Sequence, residues 1–108
     1  MAERKRTVVW SPDALADLDG IWDYYVQVAG HNTAEKIVRE IYEVCVLLEN
    51  HPLGGRTRNE IRQGLRSIVS GPQVIFYRVK NDVPEIVRVL DGRQDIDEIF
   101  ADHIVFIK

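Results

Sequence analysis

Leu65-Arg66-Ser67-Ile68-Val69-Ser70-Gly71-Pro72-Gln73-Val74-Ile75-Phe76-Tyr77-Arg78-Val79-Lys80-Asn81-Asp82-Val83-Pro84-Glu85-Ile86-Val87-Arg88-Val89-Leu90 holds three short β-branched and aromatic runs, at 65–69, 74–80 and 85–90. Ser70-Gly71-Pro72 and Asn81-Asp82 separate them, and residues of these types suit tight reversals. The stretch therefore predicts a three-stranded antiparallel meander.

On its N-terminal side the period changes from two to between three and four. Asn50-His51-Pro52-Leu53-Gly54-Gly55 stops a helix, because proline forbids continuation and glycine supplies turn geometry, and a polar loop is expected from there to about Gln63. Before it, Ala34, Ile37, Val38, Ile41, Cys45 and Leu48 make one apolar stripe, with Thr33 as the expected N-cap. Leu15, Leu18, Ile21, Trp22, Tyr25 and Ala29 make another. Ser11-Pro12 marks the start of that first helix, since serine accepts from the orphan N–H groups and proline suits the first helical turn. A connection of three or four residues after Ala29 predicts an antiparallel helical hairpin. Residues 6–10 read as a strand entering the first helix, residues 95–101 as a short closing helix, and 104–107 as an apolar tail. A helical hairpin laid on one face of a small sheet buries both stripes, so the fold class is α+β with two layers.

A chain of 108 residues that is 45% hydrophobic suits one domain over residues 1–108, with one core and little room for a second unit. No apolar run exceeds five residues, so no membrane span or secretory segment is expected. Cys45 is the lone cysteine, which excludes an internal disulfide and a cysteine-based zinc cluster and fits the cytoplasm. The net charge of −3 argues against a nucleic-acid-coating protein, because phosphate neutralisation needs surplus Lys and Arg. That average conceals a pattern: residues 1–55 carry −4, residues 56–93 carry +4 and residues 94–108 carry −3.

The order of elements, together with specific residues, resembles the RelE/ParE toxin superfamily, and within it the ParE branch, over nearly the whole chain. The matching pieces are Trp10-Ser11-Pro12 with Asp17-Leu18 and Ile21, then His51-Pro52 through Gly55-Arg56. Gly64-Leu65-Arg66-Ser67, Ile75-Phe76-Tyr77-Arg78, Ile86-Val87-Arg88-Val89-Leu90 and Gly92-Arg93-Gln94-Asp95 complete the set. Their joint order carries the resemblance. It implies a RelE-like fold, toxicity when free, neutralisation by a ParD-like antitoxin in a hetero-oligomer, and DNA gyrase as target. One turn departs from the pattern: many relatives read Leu-His-Gly where this chain reads Leu90-Asp91-Gly92, so no role for that histidine carries over.

An mRNA endonuclease of the RelE type is the alternative reading, and a relative without toxicity is a third. Ribonucleolysis needs converging groups that activate a hydroxyl, protonate a leaving oxygen and stabilise a phosphorane. His31, His51 and His103 are far apart in sequence, and Lys80 is the sole lysine between Arg56 and Arg93. The residues therefore favour binding over catalysis, with no cofactor, no metal and no sequence-specific DNA binding by this chain alone. Asp95, Asp97, Glu98 and Asp102 read as the solvated face of a capped helix.

The candidate partner-binding residues are Arg56, Arg58, Arg66, Tyr77, Arg78, Arg88 and Arg93, with Arg62 in the same basic segment. Guanidinium groups bind carboxylates in bidentate fashion, which suits an acidic antitoxin segment. The simpler expectation for Arg78 and Arg88 is cross-strand pairing with Glu85 or Asp91. Trp10, Trp22 and Cys45 are expected in the core.

Overall fold

The computed structural model describes residues 7–103. The chain runs β1 (Val9–Trp10), α1 (Pro12–Ala29), α2 (His31–Asn50), β2 (Arg56–Thr57), β3 (Arg66–Ser70), β4 (Gln73–Lys80), β5 (Val83–Asp91) and α3 (Ile96–His103). The sheet order is β1-β5-β4-β3-β2. Its centre is the expected meander, antiparallel throughout. Both short flanking strands extend it: β1 pairs parallel with β5, and β2 pairs antiparallel with β3 inside the segment expected to be loop. Two-residue strands carry too few side chains for an alternating pattern, which is why the sequence did not show β2. The expected tail at 104–107 lies outside the described residues, as does Arg6 of the strand expected at 6–10, of which Val9–Trp10 form β1.

Each reversal has a backbone reason. Asn81 and Asp82 both take positive φ, 55° and 65°, the geometry a two-residue hairpin needs to match strand twist. Gly30, at φ 94°, joins α1 to α2 single-handedly. Its N–H donates to the carbonyls of Tyr25 and Val26, and its carbonyl accepts from Ala34. The expected longer connection with a Thr33 cap is thus corrected: α2 starts at His31 without a side-chain cap, because glycine at positive φ satisfies both helix ends through its backbone.

The helical hairpin covers one face of the sheet. Ala14, Leu18, Ile41, Cys45, Leu48, Ile75, Tyr77, Ile86 and Val89 form the buried core there, and Trp10 packs against it. Trp22, half-buried, sits instead towards the turn end of the hairpin, edge-on to His31 at 5.9 Å. A second, smaller core occupies the opposite face, where Leu65, Phe76, Val87, Leu90 and Phe100 pack. Phe76 and Phe100 meet edge-to-face at 4.9 Å. Alternation along β5 would send Val87 and Leu90 to opposite faces. The register break between Phe76 and Tyr77 corrects this, pairing Phe76 with Arg88 and Tyr77 with Ile86 so that Val87 is the extra residue of a bulge.

β5 continues past the end of β1, and α1 covers the exposed edge. The Ser11 N–H donates to the Ile86 carbonyl at 2.9 Å, and Ser11 Oγ donates to the Val87 carbonyl at 2.9 Å while accepting from Ala14 N–H at 3.0 Å. Further along, the Asp17 carboxylate accepts from Val89 N–H at 2.8 Å. An open edge with unpaired N–H groups invites aggregation, and α1 closes this one.

Candidate functional site

The basic segment divides by what each arginine touches. Arg88 donates through Nε and Nη2 to both oxygens of Asp17, at 2.7 and 2.8 Å. The two side chains are only 18% and 13% exposed, and the Asp17 hydrogen bond raises the Arg88 pKa further. Arg88 is therefore a tie between α1 and β5. The partner is on a helix, which the cross-strand expectation missed. Arg78 does pair across the strands, its Nε donating to Glu85 at 2.6 Å from the register-matched position. Arg62 donates to the Phe100 carbonyl at 2.9 Å and so docks α3. Arg93 reaches Asp91 at 3.0 Å and is 84% exposed; its hydrogen bonds hold the Asp91 carboxyl below the usual range.

Tyr77 requires the second correction. Its ring is fully buried, so it offers a partner nothing. Its hydroxyl donates to the Pro52 carbonyl at 2.9 Å and accepts from Gly55 N–H at 2.7 Å, and burial raises its pKa. From the other side, Arg66 Nη1 donates to the carbonyls of Leu53 and Gly55, at 3.2 and 2.8 Å. Four side-chain hydrogen bonds from β3 and β4 thus hold the backbone of residues 52–55, and Gly54 N–H adds a turn bond to the His51 carbonyl. Gly55 is obligatory here, since a Cβ would stand 2.5 Å from Tyr77 Oη and 2.8 Å from the Ser67 carbonyl. The held loop displays Leu53, which is exposed.

Arg56 and Arg58 complete this corner. Arg56 is exposed on β2, opposite Ser67. Arg58 donates to Glu60 at 2.7 Å and to Ser67 Oγ at 3.2 Å, with its guanidinium 5.7 Å from the Phe76 ring centroid. The structure therefore sets Arg66 against the clamped loop and exposed Arg56 directly after it on β2, while Arg58 turns to Ser67 and the Phe76 ring. It leaves Arg78 and Arg93 towards opposite ends of β5, about 20 Å apart by the rise along a strand from Glu85 to Asp91.

Of the histidines, His31 and His51 do not meet. His31 and His51 bracket α2, whose 20 residues span about 30 Å at the α-helical rise. Cys45, deep in the first core, has its thiol pushed up to about 12 by burial, with the Glu49 charge adding to the effect, which leaves it in the unreactive form. Among the described residues no group of three or more His, Cys, Asp or Glu is placed to hold a metal ion. No described helix is long and apolar enough to cross a membrane.

The chain is thus a small α+β protein: a helical hairpin on one face of a mixed sheet, with a clamped loop held by Arg66 at the sheet's edge. The family model described as "ParE toxin of type II toxin-antitoxin system, parDE" matches residues 8–96. Toxin ParE1 of Mycobacterium tuberculosis is 38% identical over 88 residues, covering 81% of this chain and 90% of that protein. Toxin ParE1 of Caulobacter vibrioides is 42% identical over 77 residues, covering 71% and 79%. Among solved structures, "Chromosomal ParDE TA system from P. aeruginosa" superposes with a TM-score of 0.71 at 30% identity, covering 81% of this chain and 96% of that one. The chain belongs to the ParE toxin family of ParDE type II toxin–antitoxin systems.

Proposed function

We propose that this ParE-family toxin acts in the cytoplasm by binding and inhibiting DNA gyrase, and that a ParD-like antitoxin neutralises it in a toxin–antitoxin hetero-oligomer. The observation that carries the reading is the clamped 52–55 loop with Arg66 bound to its backbone and exposed Arg56 directly after it. Ordering a loop costs conformational entropy, and a pre-ordered surface keeps that cost out of the binding step. Exposed Leu53 and Arg56 give such a surface an apolar anchor beside a cation, a pairing suited to protein recognition. The separation of His31 from His51 and the engagement of Tyr77 and Arg88 within the fold support binding over an endonuclease of the RelE type.

Purified gyrase, ATP and relaxed plasmid, incubated with the toxin alone or premixed with its antitoxin, provide the test. Supercoiling lost with toxin alone and restored by antitoxin is the expected result. Full supercoiling in the presence of folded toxin would reject gyrase as the target and direct attention to translating ribosomes.

A further inference from the structure

A second recessed site lies between α1 and the ends of β4 and β5. Its volume is about 350 Å³, and its walls include Gly20, Ile21, Tyr24 and Tyr25 from α1, with Gln73, Val89 and Leu90 from the sheet and Arg93 at its rim. Gly20 gives the helix wall no side chain, and the space that a Cβ would take there is open. Tyr24 and Tyr25 stand edge-to-face at 5.0 Å. Gln73 is 2% exposed, and its Oε1 is a buried polar side-chain atom with no hydrogen-bond partner among the described residues. Native folds seldom leave such an acceptor without a donor, because losing its water without replacement is costly.

We propose that this cleft receives the indole of a tryptophan side chain from a protein partner. The requirement is one donor on an otherwise apolar, flat group. Aliphatic and aromatic walls ask for an apolar body; Asp17, Asp91 and Gln94 also line the cleft but already accept from Arg88, Arg93 and the Asp91 N–H, so the unpartnered Gln73 Oε1 asks for a single N–H. Indole carries one donor and no acceptor, whereas lysine and arginine would bring several donors and a charge for one acceptor. Arg93, which lines the cleft and is largely solvent-exposed, is placed to lie over an inserted ring as a cation on a π-face. Tryptophan is also the side chain that most often anchors protein interfaces. The inference does not depend on gyrase being the target.

The test titrates the isotope-labelled full chain with N-acetyl-tryptophanamide, its 1-methylindole counterpart and free indole, following amide resonances. The expected result is saturable shifts at Gly20 and Gln73 with N-acetyl-tryptophanamide, and binding at least tenfold weaker once the indole nitrogen is methylated. Gln73→Met should abolish that discrimination. Gly20→Leu, which fills the cleft from an exposed helical position, should abolish binding and serves if the first variant fails to fold. Equal affinity for the methylated compound, absence of shifts at both residues, or binding of free indole alone would overturn the proposal.

Discussion

Asp17→Ala is the substitution whose consequence follows most directly from the geometry. The Asp17 carboxylate takes three hydrogen bonds, two from Arg88 and one from Val89 N–H, in a site where both side chains are mostly buried. Its removal leaves a guanidinium and an edge-strand N–H without their acceptor. A stranded buried polar group costs about 1–3 kcal/mol, more when charged; with the residual exposure discounted, a loss of about 3 kcal/mol is expected. At about 4 °C per kcal/mol for a domain near this size, Tm should fall by about 12 °C. Urea unfolding of the wild type, Asp17→Ala, Arg88→Ala and the double variant gives the cycle. The m-value should stay constant and the coupling should be about 1–3 kcal/mol. Additive effects, or an Asp17→Ala loss below about 0.5 kcal/mol, would refute the reasoning and return Arg88 to the list of surface residues.

Three further outcomes are expected. Tyr77→Phe strands Gly55 N–H and the Pro52 carbonyl and should cost about 2–3 kcal/mol, with faster hydrogen exchange at Gly55; an unchanged Gly55 exchange rate would show that the hydroxyl does not hold the loop. Because burial raises the Cys45 thiol to about 12, the folded chain keeps a proton that the unfolded chain releases near 9. The sign is therefore a stability contribution complete below pH 9 and lost as pH rises towards 12, with iodoacetamide labelling at pH 8 appearing only on unfolding; rapid labelling of the folded protein would contradict it. Leu53→Asp combined with Arg56→Glu alters exposed positions and should leave Tm within about 2 °C while reducing gyrase inhibition at least tenfold; unchanged inhibition would remove this corner from the target surface.

The strands at the centre of the sheet and both long helices were legible because their apolar periods are long and their stops, Ser11-Pro12 and Asn81-Asp82, have direct backbone meanings. Gly30 was harder: a one-residue reversal depends on a φ value that composition does not state. The second core escaped because its residues alternate into place only after the bulge at Val87, which no local pattern announces. The arginines show the limit most clearly. Their clustering in sequence was visible, but Arg88 finds Asp17 across 71 positions, and Tyr77 finds Gly55 across 22. Such long-range partners decide whether a polar group is structural or available. Gln73 falls between the Ser70-Gly71-Pro72 reversal and the run at 74–80 in the sequence, and only the packing of α1 over it reveals an acceptor without a donor.

Stoichiometry distinguishes binding from turnover most directly. Gyrase held at several fixed concentrations, each titrated with toxin after a constant incubation, gives the amount of toxin needed to halve supercoiling. The expected midpoint rises in proportion to gyrase concentration and reaches a plateau near one toxin per binding site, with no further loss on longer incubation. Inactivation by a small fraction of the gyrase concentration that deepens with time would contradict the account and require a catalytic toxin.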